Sequence, residues 1–569
     1  MNERTIHFAD YLVGSPPDGD CSLAAVAAVK ACRDLGATRL FISPGIYHFY
    51  PDTCAEQYIC IPYNSAALRK IAFYLEDFAD LEILGEQTVL MFHGRITPFI
   101  LVGCRNCKVR GITIDYSERF FAEGQIRSAT RSCLDLMIDN ARFPYTIENG
   151  SLTFYGPNWQ GGRIDNLLEL DLAGAPAYRA GDDWQGGGLR AESLADGGIR
   201  LTGKFGMHQP GNRLVLSHEP RVYTALSLIR CQDSLIEDVV IYHALSMGIT
   251  AQLSHNITLR RIRTVPRPDS SDPVSCNADS THFSNCSGMV TVEDCVFESE
   301  MDDPLNCHGY FTTIERIFPD RKTCLVRFHH AQHAGVDIYR AGDHLEFLEA
   351  AHAVHLHDEV LTDAVAFSEL QILLYFSEPL PPAIGIGTAV DNRSRQCGLT
   401  VRRCRMGLNR ARGLLISTAG PVLIEENTFY NGGAAIFMDG ADTRYWYESG
   451  RCENVIIRNN LFSGCARGPW HDALICITSY IRPENGFSEC FHRKIMIEGN
   501  RIETFEKAVL TAGMVDGITI RDNTIVNDHT FPPYRETEAI FNLYACRNAV
   551  VTGNRIEGFD GEKVLAETH

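Results

Sequence analysis

A short strand-like motif that ends in asparagine recurs along the C-terminal part of this 569-residue chain. In each copy apolar residues alternate with polar ones, and this period of two is typical of β-strands. The asparagines are 33, 40, 23 and 31 residues apart, which is short for a four-stranded propeller blade but suits the coils of a solenoid. The sequence therefore predicts an all-β parallel β-helix, in which the recurring asparagine forms a polar ladder at one bend. The copies lie at residues 422–427 (VLIEEN), 455–460 (VIIRNN), 495–500 (IMIEGN), 518–523 (ITIRDN) and 550–554 (VVTGN).

A helix is predicted at about residues 22–35, near the N-terminus. Leu23, Val26, Ala27 and Cys32 would supply its apolar stripe, and Gly36 can end it in the left-handed conformation. A strand-like run and a Pro-Gly-x-Tyr turn follow, and this order resembles the N-terminal cap of right-handed parallel β-helix proteins. Because an open solenoid end exposes unpaired strand groups, we expect the helix to cover that end.

Two segments of about 90 residues interrupt the repeat, and both combine strand-like runs with turn signals. Each is predicted to be a small antiparallel β-barrel or sandwich inserted between coils. Because they flank an acidic segment in the sequence, both could wall a groove beside it. The predicted organisation is an N-terminal cap with the first coils (1–125), a first insertion (126–220), coils with the acidic segment (221–309), a second insertion (310–396) and C-terminal coils (397–569).

The formal net charge of −19 comes with no prominent basic face, which argues against a nucleic-acid or anionic-membrane partner. No run of about 18 apolar residues occurs, so no membrane-spanning helix is expected. Residues 1–12 lack the apolar core of a secretory signal, which predicts a cytoplasmic protein unless a leader was removed. The 20 cysteines are scattered and are predicted to be reduced, buried thiols. A homodimer through the insertions is a further expectation.

Three carboxylates, those of Asp279, Asp302 and Asp303, fall close together in the middle coils. Asp279 precedes Asp302 by 23 residues, close to one coil, so the two could lie on adjacent rungs of one face. Adjacent strands are about 4.8 Å apart, so such carboxylates could lie about 4–8 Å apart. That range includes both the retaining and the inverting geometry of glycosidic bond hydrolysis. Clustered carboxylates raise one another's pKa, which helps to keep one of them protonated as a general acid.

Strict alternation along the strand after Asp302 assigns its side chains to two faces. Leu305 and Cys307 would point to the apolar interior of the coil. Asp302, Asn306 and His308 would point to the outside, where a substrate could bind.

Asp303 has the parity of the inward set and would reach the outside only if the chain bends before the following proline. On the preceding coil, Asp279, Thr281 and Phe283 would share one face, and His282 would lie on the other. Two alternatives remain for the acidic segment. It could be a solvated turn without function, or a calcium site, since carboxylates and carbonyls suit calcium.

The segments that carry these residues resemble glycoside hydrolase family 110, the exo-acting α-1,3-galactosidases. The resemblance covers most of the chain and implies a right-handed parallel β-helix with two inserted barrels. It implies an inverting hydrolase without metal or other cofactor, acting on terminal α-galactosides, with Asp279, Asp302 and Asp303 as its essential aspartates. We expect Asp302 to be the general acid and the other two to position and deprotonate water, although acid and base could be exchanged. The matching segments are 92–99 (FHGRITPF), 276–283 (CNADSTHF), 301–309 (MDDPLNCHG) and 444–450 (RYWYESG).

Five further residues are expected to contact the substrate. Trp446 could provide a stacking surface, since the apolar face of a sugar ring packs on an aromatic ring. Glu448 could accept hydrogen bonds from sugar hydroxyls. Asn306, His308 and Arg95 are also expected to bind substrate, although His308 could be a structural histidine and Arg95 could pair with a carboxylate.

The acidic segment also resembles the site of polygalacturonases, another class of β-helix carbohydrase. Ala278 replaces the threonine of their Asn-Thr-Asp motif, Cys307 replaces the first glycine of Gly-His-Gly, and no Arg-Ile-Lys motif is evident. These differences and the negative charge favour a neutral galactoside, either linear Gal-α-1,3-Gal or a blood-group-B type. A non-catalytic glycan-binding β-helix is the remaining alternative, but a binding protein gains nothing from three clustered carboxylates, whose burial is costly.

Overall fold

The computed structural model describes residues 4–12, 19–179, 188–479 and 489–568. Two large, predominantly parallel sheets of 23 and 14 strands wind around one continuous apolar interior. Strands of successive coils pair in parallel, as Leu399 with Val422 and Val422 with Val455. The prediction of an all-β parallel β-helix is therefore confirmed.

The first sheet receives two short strands, separated by a bend, from most coils. Its strands are Thr5–His7, Arg39–Ile42, Gly45–Phe49, Glu82–Phe92, Lys108–Tyr116, Gln232–Glu237, Val240–Ile241, His255–Arg260, Arg263–Thr264, Ser287–Glu293, Val296–Glu298, Gly398–Arg402, Arg405–Gly407, Val422–Glu425, Thr428–Tyr430, Glu453–Arg458, Leu461–Ser463, His492–Glu498, Arg501–Thr504, Val515–Arg521, Thr524–Asn527, Val550–Thr552 and Arg555–Glu557.

In the second sheet, the strands Thr281–Ser284 and Leu305–Tyr310 directly follow the acidic residues, which places the candidate site at one end of the sheet's strands. Its strands are Ala55–Ile59, Ala67–Glu76, Thr97–Val102, Leu226–Ile229, Ile249–Gln252, Thr281–Ser284, Leu305–Tyr310, Leu414–Ser417, Ile436–Met438, Glu448–Ser449, Ile475–Ile477, Leu510–Gly513, Phe541–Tyr544 and Leu565–Thr568.

The recurring asparagines form the predicted ladder. Nδ2 of Asn427 donates to Oδ1 of Asn460 (3.0 Å), and the same bond links Asn460 to Asn500 (3.0 Å). The ladder continues from Asn500 to Asn523 (2.9 Å) and from Asn523 to Asn554 (2.9 Å). Each amide also donates to a backbone carbonyl of the preceding coil, so the bend between the two strands of a coil is held by side chains.

The N-terminal helix spans Ser22–Leu35 and ends at Gly36, which has a φ of 60°. The prediction of this helix and of its left-handed end is confirmed, but of the predicted apolar stripe only Cys32 is buried. Leu23 is 63% exposed and Val26 is 38% exposed, whereas the small side chains of Ala24, Ala25 and Ala28 are buried. Small residues let the helix lie close against the first coils, and this contact decides which face is buried.

The two insertions leave the β-helix on either side of the acidic segment. The first contains a six-stranded antiparallel sheet and a three-stranded sheet, and the second is a closed six-stranded barrel. The strands of the first are Phe121–Ala129, Cys133–Ile138, Tyr145–Glu148, Ser151–Gly156, Trp159–Gln160, Asn166–Leu170, Arg190–Ser193, Ile199–Thr202 and Arg213–Ser217. Those of the second are Thr312–Ile317, Thr323–Arg327, His344–Glu349, Val354–Ser368, Gln371–Phe376 and Ala389–Asn392. Short 3-10 helices lie at Phe8–Tyr11, Pro51–Thr53, Ala331–His333 and Arg393–Arg395.

The cysteines are free thiols, and most of them are buried in the interior of the coils. Cys307 and Cys397, for example, lie with their sulfur atoms 3.6 Å apart inside the β-helix. The prediction of unpaired thiols that pack as small apolar residues is confirmed. Within the described part of the chain, no helix has the length and apolar character needed to cross a bilayer.

Candidate active site

Asp279 and Asp303 occupy the same register position of adjacent coils. The strands that follow them pair in parallel with Thr281 opposite Leu305, so one coil measures 24 residues here. The register expected from the 23-residue spacing, which set Asp279 beside Asp302, is therefore wrong by one position. The backbone N–H of Asp303 donates to Oδ1 of Asp279 (3.3 Å), which joins the two coils directly at the site.

The three aspartates lie in bends that precede the strands, and this changes which residues face outward. The strand of the first coil begins only at Thr281, so alternation does not extend back to Asp279. His282 lines the same cavity as Asp279, whereas Phe283 is buried in the core. The prediction that Asp279 shares a face with Thr281 and Phe283 is therefore wrong.

On the next coil, the side chains of the strand after Asp303 alternate between the two faces. Leu305 and Cys307 belong to the apolar core, and Asn306 faces the cavity, as predicted. Asp303 is completely buried and lies beneath the floor of the cavity, and the bend before Pro304 brings its carboxylate to the other two.

One side-chain oxygen from each of the three aspartates lies within 4.8 Å of the chosen oxygens of the other two, and all three residues are buried. Arg221 donates to Oδ2 of Asp302, and Arg410 lies 3.8 Å from its Oδ1. Arg412 donates to both oxygens of Asp303, from Nη2 to Oδ2 (2.6 Å) and from Nε to Oδ1 (3.1 Å). Three carboxyl groups are thus packed against three guanidinium groups.

Burial and charge separate the pKa values of the three carboxyl groups. Burial raises the pKa of Asp279 to about 7, and the nearby charge of Asp302 adds to this effect. Burial also raises the pKa of Asp303 to about 7, against the opposing charge of Arg412. Burial alone would raise the pKa of Asp302 too, but three arginines, Arg221 first among them, lower it to about 2. Near neutral pH Asp302 is therefore a carboxylate, whereas Asp279 and Asp303 are the members of the cluster that can still carry a proton.

This charge distribution limits how Asp302 can act as the general acid. Asp302 can protonate a leaving oxygen only after it receives a proton from Asp279 or Asp303. One oxygen of each lies within 4.8 Å of an oxygen of Asp302, so the transfer requires the carboxyl groups to approach one another and a substrate to displace the N–H of Arg221. The assignment of Asp302 as general acid stays a prediction that depends on this displacement.

The aspartate cluster offers the oxygen ligands that calcium prefers. Guanidinium groups already bind these oxygens, however, and a cation would stand beside Arg221, Arg410 and Arg412. Repulsion between like charges in a buried site is strong. The arrangement therefore favours a ligand with hydroxyl groups over a metal ion.

A cavity of about 520 Å³ opens above the aspartates, which is within the range of about 300–1,000 Å³ for small-molecule sites. Both insertions contribute to its wall, as the sequence predicted: Arg163 and Asn166 come from the first and Gln332 from the second. Loops at the end of the second sheet form the opposite wall. Its further lining residues include Tyr63, Asn277, Arg221, Glu219, Leu415, Phe437, Asp439, Trp470 and His471.

Three of the five expected substrate-binding residues line this cavity: Asn306, Trp446 and Glu448. Oδ1 of Asn306 is buried and has no hydrogen-bond partner among the described residues. Trp446 is 44% exposed, and Asp442 anchors its loop by accepting from its backbone N–H (2.6 Å). Burial raises the pKa of Glu448 well above its usual range, so this carboxyl can act as a neutral donor.

The other two, His308 and Arg95, do not line the cavity. The side chain of His308 is buried behind His282, and its Nδ1 donates to the carbonyl of Gly309 (2.7 Å). Arg95 forms two hydrogen bonds with Glu219, both of 2.9 Å, and it is Glu219 that faces the cavity. In this structure His308 and Arg95 therefore lie behind the lining residues, and their expected contacts with substrate stay predictions.

Sequence reasoning missed the arginines of the site. Arg412 occupies the register position of Asp303 one coil later, because Leu305 pairs with Leu414. The second insertion separates the two residues by 109 positions, so no spacing rule connects them. Arg410 and Arg412 also cover the ring of Trp470, at 4.8 and 5.2 Å from its centre. Further lining residues that sequence reasoning did not single out include Arg221, Glu219 and Asp439.

The cavity combines carboxyl groups whose pKa values differ, an exposed indole and an amide oxygen without a partner. In a β-helix, this combination indicates a glycoside hydrolase. Comparison with the sequences of known proteins identifies the family within this class. The chain is 31% identical over 548 residues to α-1,3-galactosidase B of Bacteroides thetaiotaomicron, covering 93% of this chain and 87% of that protein. It is 30% identical over 570 residues to α-1,3-galactosidase A of Shewanella woodyi, covering 99% and 92%. This chain belongs to the α-1,3-galactosidase family.

The family sequence models agree with the architecture. GLAA-B beta-barrel domain I matches residues 122–214, and GLAA-B beta-barrel domain II matches residues 323–390. The model of a right handed beta helix region matches residues 387–567. A third relative, α-1,3-galactosidase A of Bacteroides fragilis, is 29% identical and covers 98% of this chain and 93% of its own length. The resemblance inferred from four short segments is confirmed, together with the right-handed parallel β-helix.

Proposed function

We propose that this protein is an exo-acting α-1,3-galactosidase that hydrolyses terminal α-1,3-linked galactose from glycans. The observation that carries the proposal is the buried cluster of Asp279, Asp302 and Asp303, of which Asp279 and Asp302 line the cavity and Asp303 lies beneath its floor. Glycosidic bond hydrolysis requires one carboxyl group that acts as an acid and one that acts as a base, and the shifted pKa values of Asp279 and Asp302 support such a division within this cluster. The relatives named above are α-1,3-galactosidases, which supports the same substrate linkage here.

The charge balance of the cavity supports a neutral sugar. Each arginine that lines it contacts a carboxylate: Arg163 pairs with Asp165 (2.8 Å), Arg221 and Arg410 lie against Asp302, and Arg412 lies against Asp303. A uronate would need a cation that is not already committed to a carboxylate. Hydroxyl groups, in contrast, can bind to the free amide oxygen of Asn306 and to the buried carboxyl groups.

The proposed reaction returns the cluster to its starting protonation state. One carboxyl of the cluster protonates the glycosidic oxygen as the bond to the anomeric carbon breaks. A carboxylate accepts a proton from the water that attacks this carbon, so one proton leaves the cluster and one enters it. Asp302 delivers the proton in the sequence-based assignment, and Asp279 and Asp303 position the water.

We propose that the anomeric configuration is inverted, as the family resemblance implies. The test is proton NMR of the first product formed from Gal-α-1,3-Gal. Inversion predicts that β-galactose accumulates before mutarotation, whereas α-galactose as the first product would contradict it.

The substrate is tested with a panel of purified sugars. We expect galactose release from Gal-α-1,3-Gal or from the blood-group-B trisaccharide, and much slower release from α-1,4- and α-1,6-linked galactosides. Release of galacturonate from oligogalacturonides instead would favour a polygalacturonase-like hydrolase. Binding of the α-1,3-linked sugars without any hydrolysis would favour a glycan-binding protein.

A further inference from the structure

A chain of hydrogen bonds runs from Asp279 through two buried histidines to a backbone carbonyl. Oδ2 of Asp279 lies 2.7 Å from Nδ1 of His282, and Nε2 of His282 lies 2.9 Å from Nε2 of His308. At the far end, Nδ1 of His308 lies 2.7 Å from the carbonyl oxygen of Gly309. All three side chains are buried, so the contacts within the chain decide where its protons lie.

The carbonyl of Gly309 sets the direction of every bond in this chain. A carbonyl only accepts, so Nδ1 of His308 carries a proton, and Nε2 of the neutral ring is an acceptor. His282 therefore donates from its Nε2, which leaves its Nδ1 as an acceptor. The atom that faces this acceptor is Oδ2 of Asp279, and it can form a hydrogen bond there only as a protonated carboxyl oxygen.

Ionisation of Asp279 would break the chain. With a neutral His282, two lone pairs would face each other across 2.7 Å, or both rings would change tautomer and place two acceptors together at Gly309. An imidazolium at His282 would restore the bond to Asp279, but it would be a buried cation beside Arg221. Burial, reinforced by the charge of Arg221, lowers the pKa of His282 to about 3.

We infer that His282 and His308 are positioning residues that keep Asp279 protonated in the resting site, which makes Asp279 the source of the proton for the glycosidic oxygen. The transfer of this proton to the glycosidic oxygen rests on the proposed function, whereas its location on Asp279 does not. In the reaction the proton leaves Asp279, directly or through Asp302, and forms the O–H bond of the leaving group. The attacking water returns one proton to the cluster, so the number of protons on the three carboxyl groups is the same before and after the reaction.

Asp303 is a poorer site for this proton, because both of its oxygens accept N–H groups of Arg412. Burial of Asp279 outweighs the arginines that favour its charged form, and it raises the pKa of Asp279 to about 7. The other charged or titratable groups that face the Asp279–His282–His308 chain from the surrounding elements are Arg221, Arg412, Asp302, Glu300, Cys276, Tyr63, Tyr310, His333 and Glu448.

The first test is the pH profile of kcat/KM for galactose release from Gal-α-1,3-Gal by H282F, which lacks the acceptor for the Asp279 proton. We expect its alkaline limb to move to lower pH by about one unit, the effect of one lost hydrogen bond to the protonated form. H308F should shift the limb in the same direction by less, because His282 then remains but its tautomer is no longer fixed.

H333F is the matched control. His333 is fully buried and packs against Tyr63 and Tyr310, as His308 does, but it lies outside the hydrogen-bond chain. Its alkaline limb should coincide with that of the wild type. Lower activity with unmoved limbs in both H282F and H308F, or an equal shift in H333F, would assign the histidines to packing alone and overturn the inference.

Infrared difference spectroscopy without substrate separates this inference from the proposed function. At about pH 6 the wild type should show the carbonyl band of a protonated carboxyl that D279N removes. A full band in D279N would overturn the inference, even in an active galactosidase. A wild type that shows the band but releases no galactose would overturn the proposed function and leave the proton assignment standing.

Discussion

Asp279 and Asp303 stack in register on successive coils, and the backbone N–H of Asp303 donates to Oδ1 of Asp279 at 3.3 Å. Arg412 occupies the same position on the next coil of the second sheet. Along this column of equivalent positions, two carboxyl groups are therefore followed by one guanidinium group. Because paired strands begin two residues after each member of this column, the two carboxyl groups and their counter-charge keep fixed separations, which is the preorganisation that catalysis needs.

The activity is expected to fall at alkaline pH. The reaction needs a protonated carboxyl in the cluster, and burial raises the pKa of both Asp279 and Asp303 to about 7. Above this pH both groups lose their proton, so kcat/KM should decrease by about tenfold per pH unit. A pH profile on Gal-α-1,3-Gal measures the limb. An alkaline limb at or below about pH 5, near the ordinary pKa of a carboxyl, would show that burial does not tune the site.

Trp446 is expected to contribute to sugar binding. Its ring is 44% exposed at the cavity and rests against His330, with centroids 5.0 Å apart. W446A should raise KM and lower kcat/KM by about tenfold, which corresponds to about 1.4 kcal/mol of stacking. W446F keeps an aromatic face and should retain most of the activity. Equal KM values in the wild type and W446A, with both proteins folded, would remove Trp446 from the binding site.

The asparagine ladder is expected to stabilise the C-terminal coils. Nδ2 of Asn500 donates to Oδ1 of Asn523 and to the carbonyl of Ile457, and its Oδ1 accepts from Asn460. N500A leaves these buried groups without partners and should lower the free energy of unfolding by about 2–4 kcal/mol. N554A, at the half-buried end of the ladder, is the matched control and should cost less. Chemical denaturation gives both values, and equal losses would contradict a ladder whose strength depends on burial.

The features of the fold that local patterns encode could be predicted from the sequence. Alternation of period two and a recurring asparagine identify strands and their bend without knowledge of contacts. The bounds of Ser22–Leu35 likewise follow from its own sequence. Its buried face could not be predicted, because the close approach of the first coils selects Ala24, Ala25 and Ala28 over the larger Leu23.

The site was predictable where its residues are neighbours in the sequence or one coil apart. The three aspartates and Asn306 meet this condition. The face of Asp279 was not predictable, because its strand begins only at Thr281 and a bend precedes it. Arg412 was out of reach because a whole barrel is inserted between it and Asp303. The sequence indicated Arg95 because it belongs to a motif. Its role depends on its hydrogen bond with Glu219, which is 124 positions away in the sequence.

The most direct test of the account is galactose release from Gal-α-1,3-Gal by D302N, measured beside the wild type and D294N. Asp294 lies on the outer surface of the β-helix and pairs with Arg403, so D294N repeats the same chemical change far from the cavity. We predict that D302N loses about 10²–10⁴-fold in kcat/KM, the usual contribution of an acid or base, while D294N matches the wild type. Near-wild-type release of galactose by a folded D302N would contradict the assignment of the aspartate cluster as the catalytic site.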